Sequence, residues 1–122
     1  MKTIIGLLFL MVAFSGKAQT AEELIGRWKY EDLYEKDNMK EKKIEYTDLM
    51  LSDMLFIFKA GSRFLSSGMG KVEEGVWTLE EKEIHFKPDH GKKSKLEIIS
   101  YDQDHLTVRL GRESFILVRE IR

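Results

Sequence analysis

The sequence has no cysteine and only one proline among its 122 residues. Without cysteine there are no disulfides, so stability has to come from packing. The cysteine that anchors a bacterial lipoprotein just after its signal segment is missing too. No low-complexity tract or linker divides the chain. Long apolar runs are absent but for Ile4 to Phe14, eleven residues that are apolar or glycine. That run is too short to cross ~30 Å of hydrocarbon as a helix. An excess of either charge is also lacking. Twenty Lys and Arg face 21 Asp and Glu, mixed along the chain, which excludes the basic face of a nucleic-acid binder.

What is present begins with a targeting pattern. Met1-Lys2-Thr3 gives a basic start to the apolar run, and Gly16 and Ala18 put small residues at −3 and −1 of a cut before Gln19. Residues 1–18 are expected to be a secretory signal peptide, and residues 19–122 the mature domain. Cleavage leaves 104 of the 122 residues and, by removing Lys2 and Lys17, moves the net charge from −1 to −3. The expected product is a secreted or periplasmic protein with room for one domain and one core.

From Gly26 onward, short β-like runs alternate with turn residues at barrel-like spacing. Trp28 and Tyr30 share one face of the first run, Gly26 to Asp32. Met54 to Phe58 is apolar throughout; Arg63 to Leu65 follows, then Lys71 to Leu79 and Glu83 to Lys87. Pro88-Asp89-His90-Gly91 supplies turn chemistry. Lys95 to Tyr101, His105 to Leu110 and Glu113 to Glu120 complete the set, and the Gly111-Arg112 link suits a type II′ hairpin. Connections this short force antiparallel neighbours. The fold class expected is all-β, an antiparallel up-and-down meander barrel of about eight strands with one short helix after the first strand.

The helix is expected within 42–53. Met39, Tyr46, Met50 and Met54 step by seven and four, and Asn38 with Glu41 resembles a capping box. A strand over Lys40 to Tyr46 is the competing assignment. The last run is apolar on both parities (Phe115, Leu117 against Ile116, Val118), which leaves its inward face open and suggests that the helix covers its outside. IGRWKYE at 25–31 and EGVWTLE at 74–80 share Gly-x-Trp, read as one device used twice: Gly for a bend or close approach, Trp for covering a barrel end.

Leu24-Ile25-Gly26-Arg27-Trp28 resembles the Gly-x-Trp signature that opens the first strand of lipocalins. Phe56-x-Phe58 with Ala60-Gly61, Gly75-Val76-Trp77, Ile84-x-Phe86, Leu106-x-Val108 and Arg119 continue the likeness to small secreted bacterial lipocalin-like domains over residues 24–120. The resemblance implies a closed barrel able to hold a small apolar ligand, with Gly26, Trp28 and Arg119 as structural positions and Arg119 lying over Trp28. The chain is shorter than a full-size lipocalin, so large inward side chains compete with any ligand for the interior.

Motifs for catalysis and metal binding are weak. His85, His90 and His105 have unrelated spacings and form no zinc pattern. The pairs Glu22-Glu23, Glu73-Glu74 and Glu80-Glu81 point to opposite faces if they lie on strands, so they read as solvated turns and edges. Asp102-x-Asp104 lacks the glycine and distant Glu of a calcium loop. Ser66 to Gly70 reads as a plain hairpin connection, with a mobile mouth loop as the other option. Met39, Met50, Met54 and Met69 fill the core or line an adaptable pocket near the helix, core filling being favoured. No catalytic residue, cofactor or metal is expected. The expected function is binding of a small apolar or amphipathic ligand in the barrel, lined by Tyr30, Leu55, Ile57, Phe64, Trp77, Phe86, Ile98 and Val108. The alternative is a filled barrel acting as a protein-interaction or inhibitor module.

Overall fold

The structure, a computed structural model, describes residues 20–120. The expected signal peptide and its cut before Gln19 lie outside the described residues. Helix α1 (Ala21–Leu24) comes first, with Thr20 and Glu23 capping each other: Thr20 N–H donates to Glu23 Oε1 at 2.9 Å, and Glu23 N–H to Thr20 Oγ1 at 3.3 Å. Strand β1 (Gly26–Leu33), a 3₁₀ turn (Lys36–Asn38) and helix α2 (Glu41–Leu51) follow. Then come β2 (Leu55–Lys59), β3 (Arg63–Gly68), β4 (Lys71–Glu80), β5 (Glu83–Pro88), β6 (Ser94–Tyr101), β7 (His105–Leu110) and β8 (Glu113–Arg119). Each strand pairs antiparallel with the next, and β8 pairs with β1 to close the barrel. The expected eight-stranded meander with a short helix after its first strand is the architecture. The connections at 69–70, 81–82 and 111–112 are two residues long, too short for anything but hairpins.

Alternation places one face of every strand inside. Trp28 and Tyr30 are buried on β1, Phe64 on β3, Trp77 on β4, Leu96 and Ile98 on β6. On β2 the inward residues are Phe56 and Phe58, so Leu55 and Ile57 stand on the opposite face, contrary to their expected pocket role. A run apolar at every position has no alternation from which to choose a face. Pairing chooses it instead: Phe56 sits opposite Trp28, Phe58 opposite Phe64, and paired residues share a face. The same logic settles β8, where Leu117 opposes Tyr30 and Phe115 opposes Val108. Bulges at Glu31 and Ile99 shift the register of β1 against β8 and of β6 against β7.

Helix α2 covers most of the expected window of 42–53 and begins one residue before it, at Glu41. Its N-cap is Lys40, with no side-chain cap, so the box anticipated from Asn38 and Glu41 is not what starts it. The helix buries Thr47 and Leu51 beside β1 at one end of the barrel, instead of lying along the outside of the last strand. Ser66 and Ser67 belong to β3, and a tight turn at Met69-Gly70 replaces the longer connection read from Ser66 to Gly70. None of the helices among the described residues is long and apolar enough to cross a membrane.

Candidate functional site: the mouth of the barrel

The two barrel ends differ. At one end lie α1 and the turns at 60–62, 81–82 and 102–104; at the other lie α2 and the connections at 69–70, 89–93 and 111–112. The first end is sealed by the two Gly-x-Trp segments. Trp28 Nε1–H donates to Leu24 O at 2.9 Å, and the Arg119 guanidinium carbon lies 4.2 Å from the centroid of the indole. That guanidinium donates to three backbone carbonyls: from Nε to Gln103 at 2.8 Å, from Nη1 to Ile25 at 3.0 Å and from Nη2 to Glu23 at 2.8 Å. A Cβ at residue 26 would stand 2.9 Å from Arg119 Nη1, so Gly26 makes room for the lock. In the second segment Trp77 Nε1–H donates to Lys59 O at 3.3 Å. A Cβ at residue 75 would come 2.6 Å from Pro88 Cα and nearer still to the Lys87 carbonyl oxygen, so Gly75 lets β4 and β5 approach. Both glycines serve close contact and both indoles tie down a carbonyl, as the repeated motif suggests.

Above that floor the interior is filled by rings. Trp77 lies 4.8 Å from Phe58, Phe64 lies 4.9 Å from Phe86, and Phe56 lies 5.6 Å from Phe86, centroid to centroid. Spacings of this size are those of favourable aromatic pairs, which hold the barrel's depth closed.

Space opens at the mouth. A chamber of about 180 Å³ has Phe56, Phe64, Phe86 and Leu96 below and Ser66, Glu73 and Ser94 on its walls. A groove of about 580 Å³ runs between α2 (Tyr46, Thr47, Met50, Leu51) and Leu110 and Phe115 of the rim. Met69 and Leu110 line both, so the two spaces adjoin. Of the expected ligand residues, only Phe64 and Phe86 line the chamber. Trp77, Ile98 and Val108 belong to the filled core, and Leu55 and Ile57 face away from it. Sequence reasoning missed Phe56, Ser66, Glu73, Leu96 and Leu110. The methionine cluster was the legible signal, since Met50, Met54 and Met69 all border these spaces.

Tyr30 is buried on the inner face, but its hydroxyl is committed: it donates to Asp48 Oδ1 of α2 at 2.6 Å. Burial, and then the Asp48 carboxylate beside it, push the phenol well above its usual value, so it remains a donor at any ordinary pH. This bond latches the helix to the barrel. Lys43 Nζ stands 4.0 Å from Glu113 Oε2 and adds a second, weaker tie.

Other shifted groups lie on the outside. The Arg63 guanidinium grips Asp89 through bonds of 2.7 and 3.2 Å and holds that carboxyl below its ordinary range. This clamp joins β3 to the end of β5 across β4, over the close approach at Gly75. Lys95 lowers Glu83 in the same way, and the amides of Asp104 and His105 lower Asp102. His85 and His105 have carboxylates within 3.0 and 3.4 Å. No group of three or more metal-ligating side chains occurs among the described residues.

No protein-family model matches the chain, and no curated protein matches it. A solved structure described as an uncharacterized protein from Bacteroides eggerthii DSM 20697 is similar at 8% identity and a TM-score of 0.56. The match covers 79% of this chain and 98% of that one. At such identity the likeness is one of fold.

Proposed function

We propose that the protein is an exported, lipocalin-like carrier that binds a small apolar or amphipathic molecule at the mouth of its barrel, without catalysis. One observation carries this: the depth of the barrel is packed with rings, while a chamber remains at its mouth and adjoins a groove under a helix latched by the Tyr30 phenol. Walls of Phe, Leu and Met remove apolar ligand surface from water at ~25 cal/mol per Å², and methionines adapt their shape to it. Export is supported by the apolar run Ile4 to Phe14 and the small residues before Gln19.

The test is a titration of protein carrying ¹³C-methyl methionine with 1-decanol. Saturable shifts at Met50, Met54 and Met69 are expected. Unmoved signals up to the solubility limit of the alcohol would overturn the proposal. A second reading, a filled barrel acting through its surface, is favoured by Tyr46 and Leu49, which are 65% and 73% exposed on α2. Under that reading substitution of Leu49 abolishes binding to a partner protein, while decanol leaves every methionine signal in place.

A further inference from the structure

The chamber holds a charge that alternation brings inside. Gly75 and Trp77 are buried on β4, so Glu73, on the same parity, also faces the barrel, while Glu74 faces out. Glu73 stands opposite Ser66, which shares the inward face of β3 with Phe64. Glu73 thus lines a cavity floored by Phe64 and Phe86, with Ser66, Ser94 and Lys71 also on its walls, and its Oε2 lies beside Gly91 of the 89–93 connection.

The partner of this carboxylate is an ammonium. Lys71 Nζ lies 3.6 Å from Glu73 Oε2, beyond direct hydrogen-bond range, and its side chain is 75% exposed against 29% for Glu73. The deeper, better shielded charge is therefore negative, and the positive one sits at the lip on a flexible stem. An exposed pair of this kind contributes little, because solvent screens it and holding the lysine costs side-chain entropy. An ammonium delivered by a ligand with its apolar part already buried replaces Lys71 at small cost and makes a charge-assisted hydrogen bond. The adjoining groove has Met50, Leu51, Leu110 and Phe115 along it and suits an aliphatic chain.

Taking the mouth as the ligand site proposed above, we infer that Glu73 selects ligands bearing a protonated amine. The amine seats in the chamber between Glu73 and the two serines, and the hydrocarbon runs through the groove under α2. The polar end is thus the inner end.

The experiment compares decylamine, 1-decanol and decanoate by calorimetric titration below their micelle concentrations, with the full domain. Decylamine is expected to bind about tenfold or more tighter than decanol, the worth of one charge-assisted bond. Decanoate is expected to bind more weakly than decanol, because Glu73 repels it. Glu73→Gln should collapse the amine-to-alcohol ratio to about one, and Lys71→Ala should raise it by removing the competitor. Thermal melting of both variants verifies that they fold. The assignment is overturned if folded Glu73→Gln keeps the amine preference, or if decanoate binds best. If decanol binds and decylamine does no better, carrier function stands and the role of Glu73 falls. If none of the three binds, carrier function itself fails and takes this assignment with it.

Discussion

Replacing Arg119 by alanine tests the sealed end of the barrel most directly. The change removes three hydrogen bonds to the carbonyls of Glu23, Ile25 and Gln103 and the contact with Trp28. The bond to Ile25 is partly buried, and a charged donor there contributes about 1.5–3 kcal/mol. The other two are exposed and exchange with water, adding roughly 0.5–1 kcal/mol each. Stacking on the indole adds about 0.5–2 kcal/mol. Freed arginine rotamers return up to about 2 kcal/mol. The net loss is about 1–5 kcal/mol. At roughly 4–5 °C per kcal/mol for a domain of about 100 residues, the melting temperature should fall by about 4–25 °C. Differential scanning calorimetry of the purified domain measures it. Arg119→Lys should recover less than half of the loss, since one ammonium cannot reach three carbonyls in different directions. A fall below about 3 °C for Arg119→Ala would show that the lock is solvated and contributes little. A double-mutant cycle with Trp28→Leu isolates the stacking share, expected near 0.5–2 kcal/mol.

Gly75→Ala should cost about 1–3 kcal/mol or more, because the new methyl meets the backbone of β5, which cannot swing aside; chemical denaturation measures it, and a neutral result would mean that the strands separate freely. Tyr30→Phe removes the latch, so amide exchange across Glu41–Leu51 should accelerate while the strands stay protected; uniform exchange throughout would refute a separate latch. Because the Tyr30 phenol is raised in the folded state, its contribution is complete below the ordinary value near 10 and is lost as pH rises beyond it. Wild-type melting should therefore decline at alkaline pH more steeply than that of Tyr30→Phe. At the acid side, Asp89 and Glu83 are lowered by Arg63 and Lys95, so their contribution is complete above the ordinary carboxylate range and is lost as pH falls below it. Asp89→Asn should flatten part of the acid decline in melting temperature between about pH 5 and pH 2.

The barrel was legible because turn chemistry recurs at short intervals and most strands alternate cleanly. Leu106 and Val108 announced their inward face by the polar residues His105, Thr107 and Arg109 around them. β2 gave no such sign: Leu55 to Phe58 is apolar throughout, and only pairing with β1 and β3 decides that Phe56 and Phe58 point in. The site was harder still. It depends on where the filled core stops, which is a matter of side-chain volume along the barrel and not of pattern along the chain. Glu73 shows the limit well. The rule that neighbours on a strand face opposite ways dismissed Glu73-Glu74 as a pair, yet the same rule sends one member into the chamber.

Seven of the eight strand pairings join neighbours in sequence; the eighth joins the ends, as where Arg27 meets Glu120 at a separation of 93 residues. Hairpins can zip in turn at modest entropic cost, but the ring closes only when β1 finds β8 across nearly the whole domain. The seam is therefore expected to be the last pairing to form and the first to part. Arg119 sits on it and reaches across to Glu23 and Ile25, so its weight falls on the lifetime of the folded ring more than on the speed of its assembly. In stopped-flow measurements Arg119→Ala should steepen the loss through the unfolding rate and leave refolding nearly untouched. Stability in this barrel is in that sense a matter of timing: one clasp decides how long the ring stays shut.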